Sequence, residues 1–152
     1  MPTPTCKYAG FWVRVAASLI DTALLLLVTL PLLLAIYGWA YFDGSRAGFV
    51  AGVADVMISW VGPAMGILVF WLYKQATPGK MMLHLQIIDV TTGGSLSLSQ
   101  SVVRYLGYFV SAIPLGLGLL WVGFDEKKQG WHDKMAGTLV IYTVSKRDKT
   151  SR

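Results

Sequence analysis

Charge is scarce in this chain. Asp, Glu, Lys and Arg make up 14% of its 152 residues, against about 25% in a soluble globular domain, while 55% of the residues are hydrophobic. A soluble fold with so little to cover its surface is excluded, and a membrane-embedded chain remains. Cysteine is nearly missing. The single Cys6 excludes an internal disulfide framework and a cysteine-based metal site, and no apolar signal precedes it to mark it for lipidation. The two histidines, His84 and His132, stand apart without clustered carboxylates, so no metal-ligand spacing is present and no cofactor is expected. The 8 acidic residues are outnumbered by 13 basic ones, for a net charge of +5. That excess does not point to nucleic acid. The cations lie between and after apolar runs, where they act as topology signals and contacts to lipid headgroups.

Long apolar runs are what the chain has in their place. From Val15 to Ile36 the one ionisable residue is Asp21, and about 20 residues rising ~1.5 Å each cross a ~30 Å hydrocarbon core. The run is longer than a signal-peptide core and no small-residue cleavage site follows it closely, so Phe11–Tyr37 is expected to be an uncleaved anchor helix, bent by Pro31. A turn signature at Asp43-Gly44-Ser45-Arg46 separates it from a second run, beginning near Gly48 or Val56 and ending at Tyr73. Within that run Gly62 and Gly66 form a G-x-x-x-G, which either lets two helices approach closely or simply thins the helix beside Pro63. Trp60, Trp71 and Tyr73 suit an interfacial belt or packing.

Residues 74–104 are polar. Gln75-Ala76-Thr77-Pro78-Gly79-Lys80 stops the helix. Its Gly-Lys pair lacks the rest of a phosphate loop. A β-like stretch then ends in Thr91-Thr92-Gly93-Gly94, and a second, Leu139–Val144, lies near the end of the chain. Leu85–Val90 and Leu139–Val144 are expected to pair into a small two-stranded sheet at the cytoplasmic surface, packed on headgroups and helix ends because an isolated ribbon is marginal. His84 reads as a surface histidine. From Ser97 the pattern turns helical, with Ser97 or Ser99 as the cap. The third apolar run, Leu106–Phe124, is interrupted by Pro114-Leu115-Gly116-Leu117-Gly118. It is either a single span or a hairpin of two short helices, about Leu98–Ile113 and Leu117–Phe124. Cation counts favour the hairpin. The leader and first-helix entry hold Lys7 and Arg14, the first loop holds Arg46, the second loop holds three and the segment after Phe124 holds seven. The positive-inside rule then puts both termini and the second loop in the cytoplasm, which a third straight span would forbid. The fold expected is an all-α membrane protein: two full transmembrane helices, a third apolar segment and the small β element. It is a single domain over residues 1–152 with its core at about 8–144, flanked by flexible ends at 1–7 and 145–152.

Gly10-Phe11-Trp12-Val13-Arg14 with Asp21, Thr77-Pro78-Gly79-Lys80, Arg104-Tyr105, and Asp125 followed by Gly130-Trp131-His132-Asp133-Lys134-Met135-Ala136-Gly137-Thr138 together resemble the RDD family of integral membrane proteins. The resemblance covers about residues 8–144. It matches the family's arginine to Arg14, its first aspartate to Asp21 and its second to Asp133, with Asp125 also fitting the pattern. What it implies is a multi-pass protein of the cell (inner) membrane whose biochemical role is open, with transport as the leading expectation.

The residues themselves leave two functions standing. An intramembrane aspartate such as Asp21 either binds a proton or cation in a transport cycle or holds helices together through an ion pair. Arg14, two helical turns before it on the same face, either anchors at headgroups or compensates Asp21 or Asp133; Arg104 is a further candidate partner. His132 and Asp133 are expected to tie the tail to the Thr77–Lys80 loop, by hydrogen bonds or by pairing with Lys80 or Arg104. They are not read as an acid–base pair, because no buried serine or cysteine nucleophile is evident beside them. The reading is therefore non-enzymatic. The first function is transport of a small solute, or proton/cation exchange, by a homo-oligomer. The second is a membrane scaffold or assembly factor that recruits or stabilises a partner membrane protein. The lipid bilayer is a partner in both.

Overall fold

A computed structural model describes residues 7–43 and 50–143. Cys6, Arg46, Val144 and the basic tail lie outside the described residues. Two helices are long and apolar enough to cross a membrane. The first, α1 (Phe11–Tyr37), starts after extended Gly10, continues past Pro31 and ends at Gly38, whose φ of +67° turns the chain. The second, α2 (Val53–Lys74), begins with an ordinary turn at Val53–Val56 and then widens at Met57–Val61, where the Gly62 N–H donates to the Met57 carbonyl five residues back. That widening sits just ahead of Pro63, which has no N–H and would crowd an ordinary helical turn. Gly62 and Gly66 meet no second helix. A Cβ on Gly62 would touch only the Met57 carbonyl of its own helix, and one on Gly66 would touch nothing. The close-approach reading of G-x-x-x-G therefore fails within the chain.

Helix α2 ends at Gln75 in the left-handed region, and a short helix α3 (Pro78–Met82) leads into β1 (Leu85–Asp89). Helix α4 (Leu98–Ala112) begins with a capping box. Gln100 N–H donates to the Ser97 hydroxyl while the Gln100 side chain accepts from Ser97 N–H. The third apolar segment is not a straight span. Helix α4 and the segment Leu117–Gly123, whose α-helical part is α5 (Leu117–Leu120), meet at 112° across the proline–glycine interruption. Helix α6 (Trp131–Ala136) and β2 (Thr138–Tyr142) complete the fold.

The expected strands do pair, antiparallel, from Leu85 opposite Tyr142 to Asp89 opposite Thr138. The start of the chain joins them. Tyr8 bridges Ile141, Ala9 N–H donates to the Val140 carbonyl at 2.9 Å, and Tyr142 N–H to the Lys7 carbonyl at 3.0 Å. Lys7 is therefore held against β2, not part of a free leader, and the first and last described residues are neighbours. Helix ends supply the packing a small sheet needs. Leu85, Ile87 and Val140 are buried with Ala9, Ala17 and Trp71, and Val13, Tyr105 and Tyr108 pack on them.

Candidate functional site

Three charges from distant parts of the chain meet in this packing. Asp133, in the first turn of α6, is fully buried, as is Arg104 from the middle of α4; Arg14, in the first turn of α1, is 8% exposed. Asp133 Oδ2 accepts from Arg14 Nη1 at 2.5 Å and from Gly130 N–H at 3.1 Å, and its Oδ1 lies 2.5 Å from Arg104 Nη1. Arg14 also donates through Nε to the Ala9 carbonyl and through Nη2 to the Lys128 carbonyl. Arg104 donates to the Thr138 hydroxyl at 2.5 Å and lies 5.3 Å over the Trp71 ring and 6.0 Å over Tyr108. Its Nε and Nη2 are buried without a hydrogen bond, so the aromatic faces cover that side of the cation. Burial alone would push the Asp133 carboxyl up. Arg104 and Arg14 outweigh it and hold the group well below the usual carboxylate range.

His132 lies inside the same cluster, 3% exposed and stacked on Tyr108 at 4.1 Å. A buried serine does stand beside it, contrary to expectation. Ser111, fully buried, accepts from His132 N–H at 3.1 Å, and its hydroxyl is 3.5 Å from Nδ1, while Nε2 is 3.4 Å from Asp133 Oδ1. The three residue types are those of a hydrolytic triad, but the arrangement differs from one. The serine oxygen is closed off by the Gly118 backbone, where even a Cβ would overlap it, and the carboxylate is already committed to two arginines. Burial, followed by the two arginines against the attraction of Asp133, pushes His132 down to about 3, so the ring is neutral near pH 7. The serine was missed because nothing local marks Ser111 within an apolar helix.

Asp21 is separate from this cluster, and the expectation that it pairs with Arg14 or Arg104 is corrected. Its Oδ2 accepts from the Thr77 hydroxyl at 2.5 Å and its Oδ1 from Gly79 N–H at 2.7 Å. It thus satisfies free donors at the start of α3 from a neighbouring helix. Gly79 makes this approach feasible, since a Cβ there would run into the Ala17 carbonyl and lie 2.9 Å from the Asp21 carboxyl carbon. Asp125 is not in the cluster either. It pairs with Lys134 at 2.5 Å and accepts from the Lys127 and Gln129 N–H groups, shaping its own loop. Desolvation raises its carboxyl, but Lys134 and those amides bring it below the usual range. The tail is tied by Arg104 and Arg14, and Asp133 does not pair with Lys80. A second buried acid, Asp55, accepts from Tyr41, Ser59 and the Ala51 N–H at the opposite end of α2. The sequence shows it only as a charge near a helix end.

Between α1, α2 and α4 lies a cavity of about 700 Å³. Its walls are apolar, among them Leu25, Val28, Leu32, Ile58 and Phe70, and one end carries Asp21, Thr77, Lys80 and Tyr108. Lys80, 5% exposed, lines that end, and its side chain forms no hydrogen bond or salt bridge among the described residues. The candidate residues therefore divide into a closed ionic knot (Arg14, Arg104, His132, Asp133), a helix cap (Asp21), a loop pair (Asp125) and a cavity cation (Lys80).

The profile of the RDD family matches residues 8–137. An uncharacterized protein of Rickettsia prowazekii is 39% identical over 74 residues, 49% of this chain and 40% of that protein, so the match spans less than half of that relative. The uncharacterized protein YxaI of Bacillus subtilis is 29% identical over 90% of this chain and 98% of its own length. A proline-rich antigen homolog of Mycobacterium tuberculosis is 28% identical over 91% of this chain and 65% of its own length. No solved structure matches. With Arg14, Asp21 and Asp133 each built into the packing and two membrane-length helices around them, this chain belongs to the RDD family of membrane proteins.

Proposed function

We propose that the protein binds and moves a small solute, that its working site is the cavity between α1, α2 and α4, and that the charges of the family signature are the frame around that site. The observation that carries this reading is the cavity itself. Its ~700 Å³ falls in the size range of small-molecule sites, and apolar walls converge on a few polar groups at one end. Exchange of a proton or cation at Asp21 is the weaker form of transport, because both carboxylate oxygens already accept from Thr77 and Gly79. The reading is non-enzymatic: Ser111 and His132 line no part of the cavity. The sheet side is assigned to the cytoplasm of a cell (inner) membrane, on the cation count, and so few helices require an oligomer to enclose a path.

A scaffold role is the second reading. Only 6% of each span's most apolar window is buried within the chain, which leaves long faces for lipid or a partner membrane protein. Purified protein in liposomes, screened for flux of ions and small solutes, separates the two. Flux lost in Gly66→Phe, a substitution that fills the cavity from a position with nothing within 4 Å, supports transport. No flux from any solute, with a co-purifying membrane partner, supports the scaffold and overturns transport.

A further inference from the structure

The polar end of the cavity is electropositive, and that selects an occupant. Lys80 is 5% exposed and lines the cavity, and its side chain forms no hydrogen bond or salt bridge among the described residues. Its ammonium is not sealed off from the cavity, so an anion entering there can reach it and offset the cost of holding a cation among apolar walls. Asp21 on the same wall accepts from the Thr77 hydroxyl and the Gly79 N–H, and its carboxylate is held by these two neutral donors without an ion pair to Lys80. Tyr108 lines this end with Lys80, and Arg104 lies over the Tyr108 ring at 6.0 Å. Lys80, Arg14 and Arg104 stand against the carboxylates of Asp21 and Asp133, which leaves this end of the cavity a surplus of one positive charge.

The remaining walls are apolar and follow α1 from Asp21 to Leu32. Leu32 lies eleven positions after Asp21, a rise of about 16 Å, close to half of a ~30 Å hydrocarbon core and so to the depth of one leaflet. A compact hydrophilic anion would leave that length unfilled, and an uncharged hydrocarbon would leave Lys80 unpaired. Resting on the reading of the cavity as the working site, we propose that it holds an anionic phospholipid, its phosphate on Lys80 and an acyl chain along Val28, Leu32, Ile58 and Phe70.

The test is native mass spectrometry of the full chain in detergent, given equal amounts of phosphatidylglycerol and phosphatidylcholine, with melting measured on each preparation. The expected result is phosphatidylglycerol bound about tenfold over phosphatidylcholine, as for a desolvated charge–phosphate contact. Lys80→Gln should erase the preference, Lys80→Arg should keep it, and Gly66→Phe should remove both lipids by filling the tail channel. Equal binding of the two lipids, or an unchanged preference in a folded Lys80→Gln variant, overturns the headgroup assignment and leaves the cavity reading standing. Displacement by soluble glycerol phosphate overturns the lipid in favour of a free anion. If Lys80→Gln does not fold, Gly66→Phe still decides, since lipid binding unaffected by it overturns both this assignment and the cavity reading.

Discussion

Asp133 is the residue on which the fold depends most. Removing its charge while keeping its shape, in Asp133→Asn, leaves Arg14 and Arg104 buried without a counter-ion, and breaking such a pair costs about 3–5 kcal/mol. Thermal melting in detergent should show that loss. Asp125→Asn should lose under about 1 kcal/mol, because the partner Lys134 side chain is 44% exposed. Equal losses would remove the distinction between the two aspartates. Acid should unfold the protein for two reasons with the same sign. Below pH about 6.5 the unfolded chain protonates its His132 while the folded one, down at about 3, does not, so stability is lost as pH falls across that interval. Asp133, held below its ordinary value, adds a loss beneath the usual carboxylate range. His132→Phe keeps the stack on Tyr108 and should flatten the melting curve between pH 6.5 and about 3; an unchanged slope would show that the ring is already charged in the folded state. The sequence identifies Arg14, Asp21 and Asp133 as special and offers both pairs that form, Arg14–Asp133 and Arg104–Asp133, but does not choose between Asp21 and Asp133 as the partner of Arg14. Arg14 and Asp21 share a helical face, yet neighbours along a helix say nothing of what arrives from residues 77–79 or 133.

Among the elements, α3 shows how a five-residue helix is fixed. Asp21 accepts from its Gly79 N–H and from the Thr77 hydroxyl, and Gly79 lets it lie against α1. Gly79→Ala places a methyl in the Ala17 carbonyl, and overpacking of this kind costs about 1–3 kcal/mol. A matching fall in melting temperature is expected, while Gly66→Ala, on the cavity wall with nothing within 4 Å, should be neutral or slightly stabilising. Elements whose signals are local are the ones legible in the sequence. The Ser97–Gln100 capping box, the Pro114–Gly118 break and the alternating strands all carry their cause within a few residues. The wide turn at Met57–Val61 is not legible, because it depends on how the helix absorbs Pro63, and neither is the start of α2 at Val53, where Gly52 takes a φ of +143° and Ala51 N–H donates to the Asp55 carboxylate. Short α6 was not foreseen as a helix for the same reason: the Asp133 that accepts from Gly130 at its start is held in place by α1 and α4.

For the whole molecule, the pairing of Lys7 with Tyr142 places both ends of the described chain at the sheet. A cysteine at Lys7 or at Thr143, in a background with Cys6→Ser, should therefore be labelled from the same side of sealed vesicles, the cytoplasmic side by the cation count. Labelling from opposite sides would contradict the bent third segment. The cavity was not legible at all, since it is bounded by three helices whose spacing no local pattern sets. The central claim is that the signature charges frame a site they do not themselves operate. Solute flux through reconstituted Asp21→Asn and Gly66→Phe proteins, compared at equal melting temperature, tests it most directly. Asn retains an acceptor for Gly79 N–H and leaves no arginine unpaired, so the account predicts a folded protein that still conducts, beside a folded Gly66→Phe protein that does not. A stable Asp21→Asn protein without flux, beside a conducting Gly66→Phe protein, would contradict it.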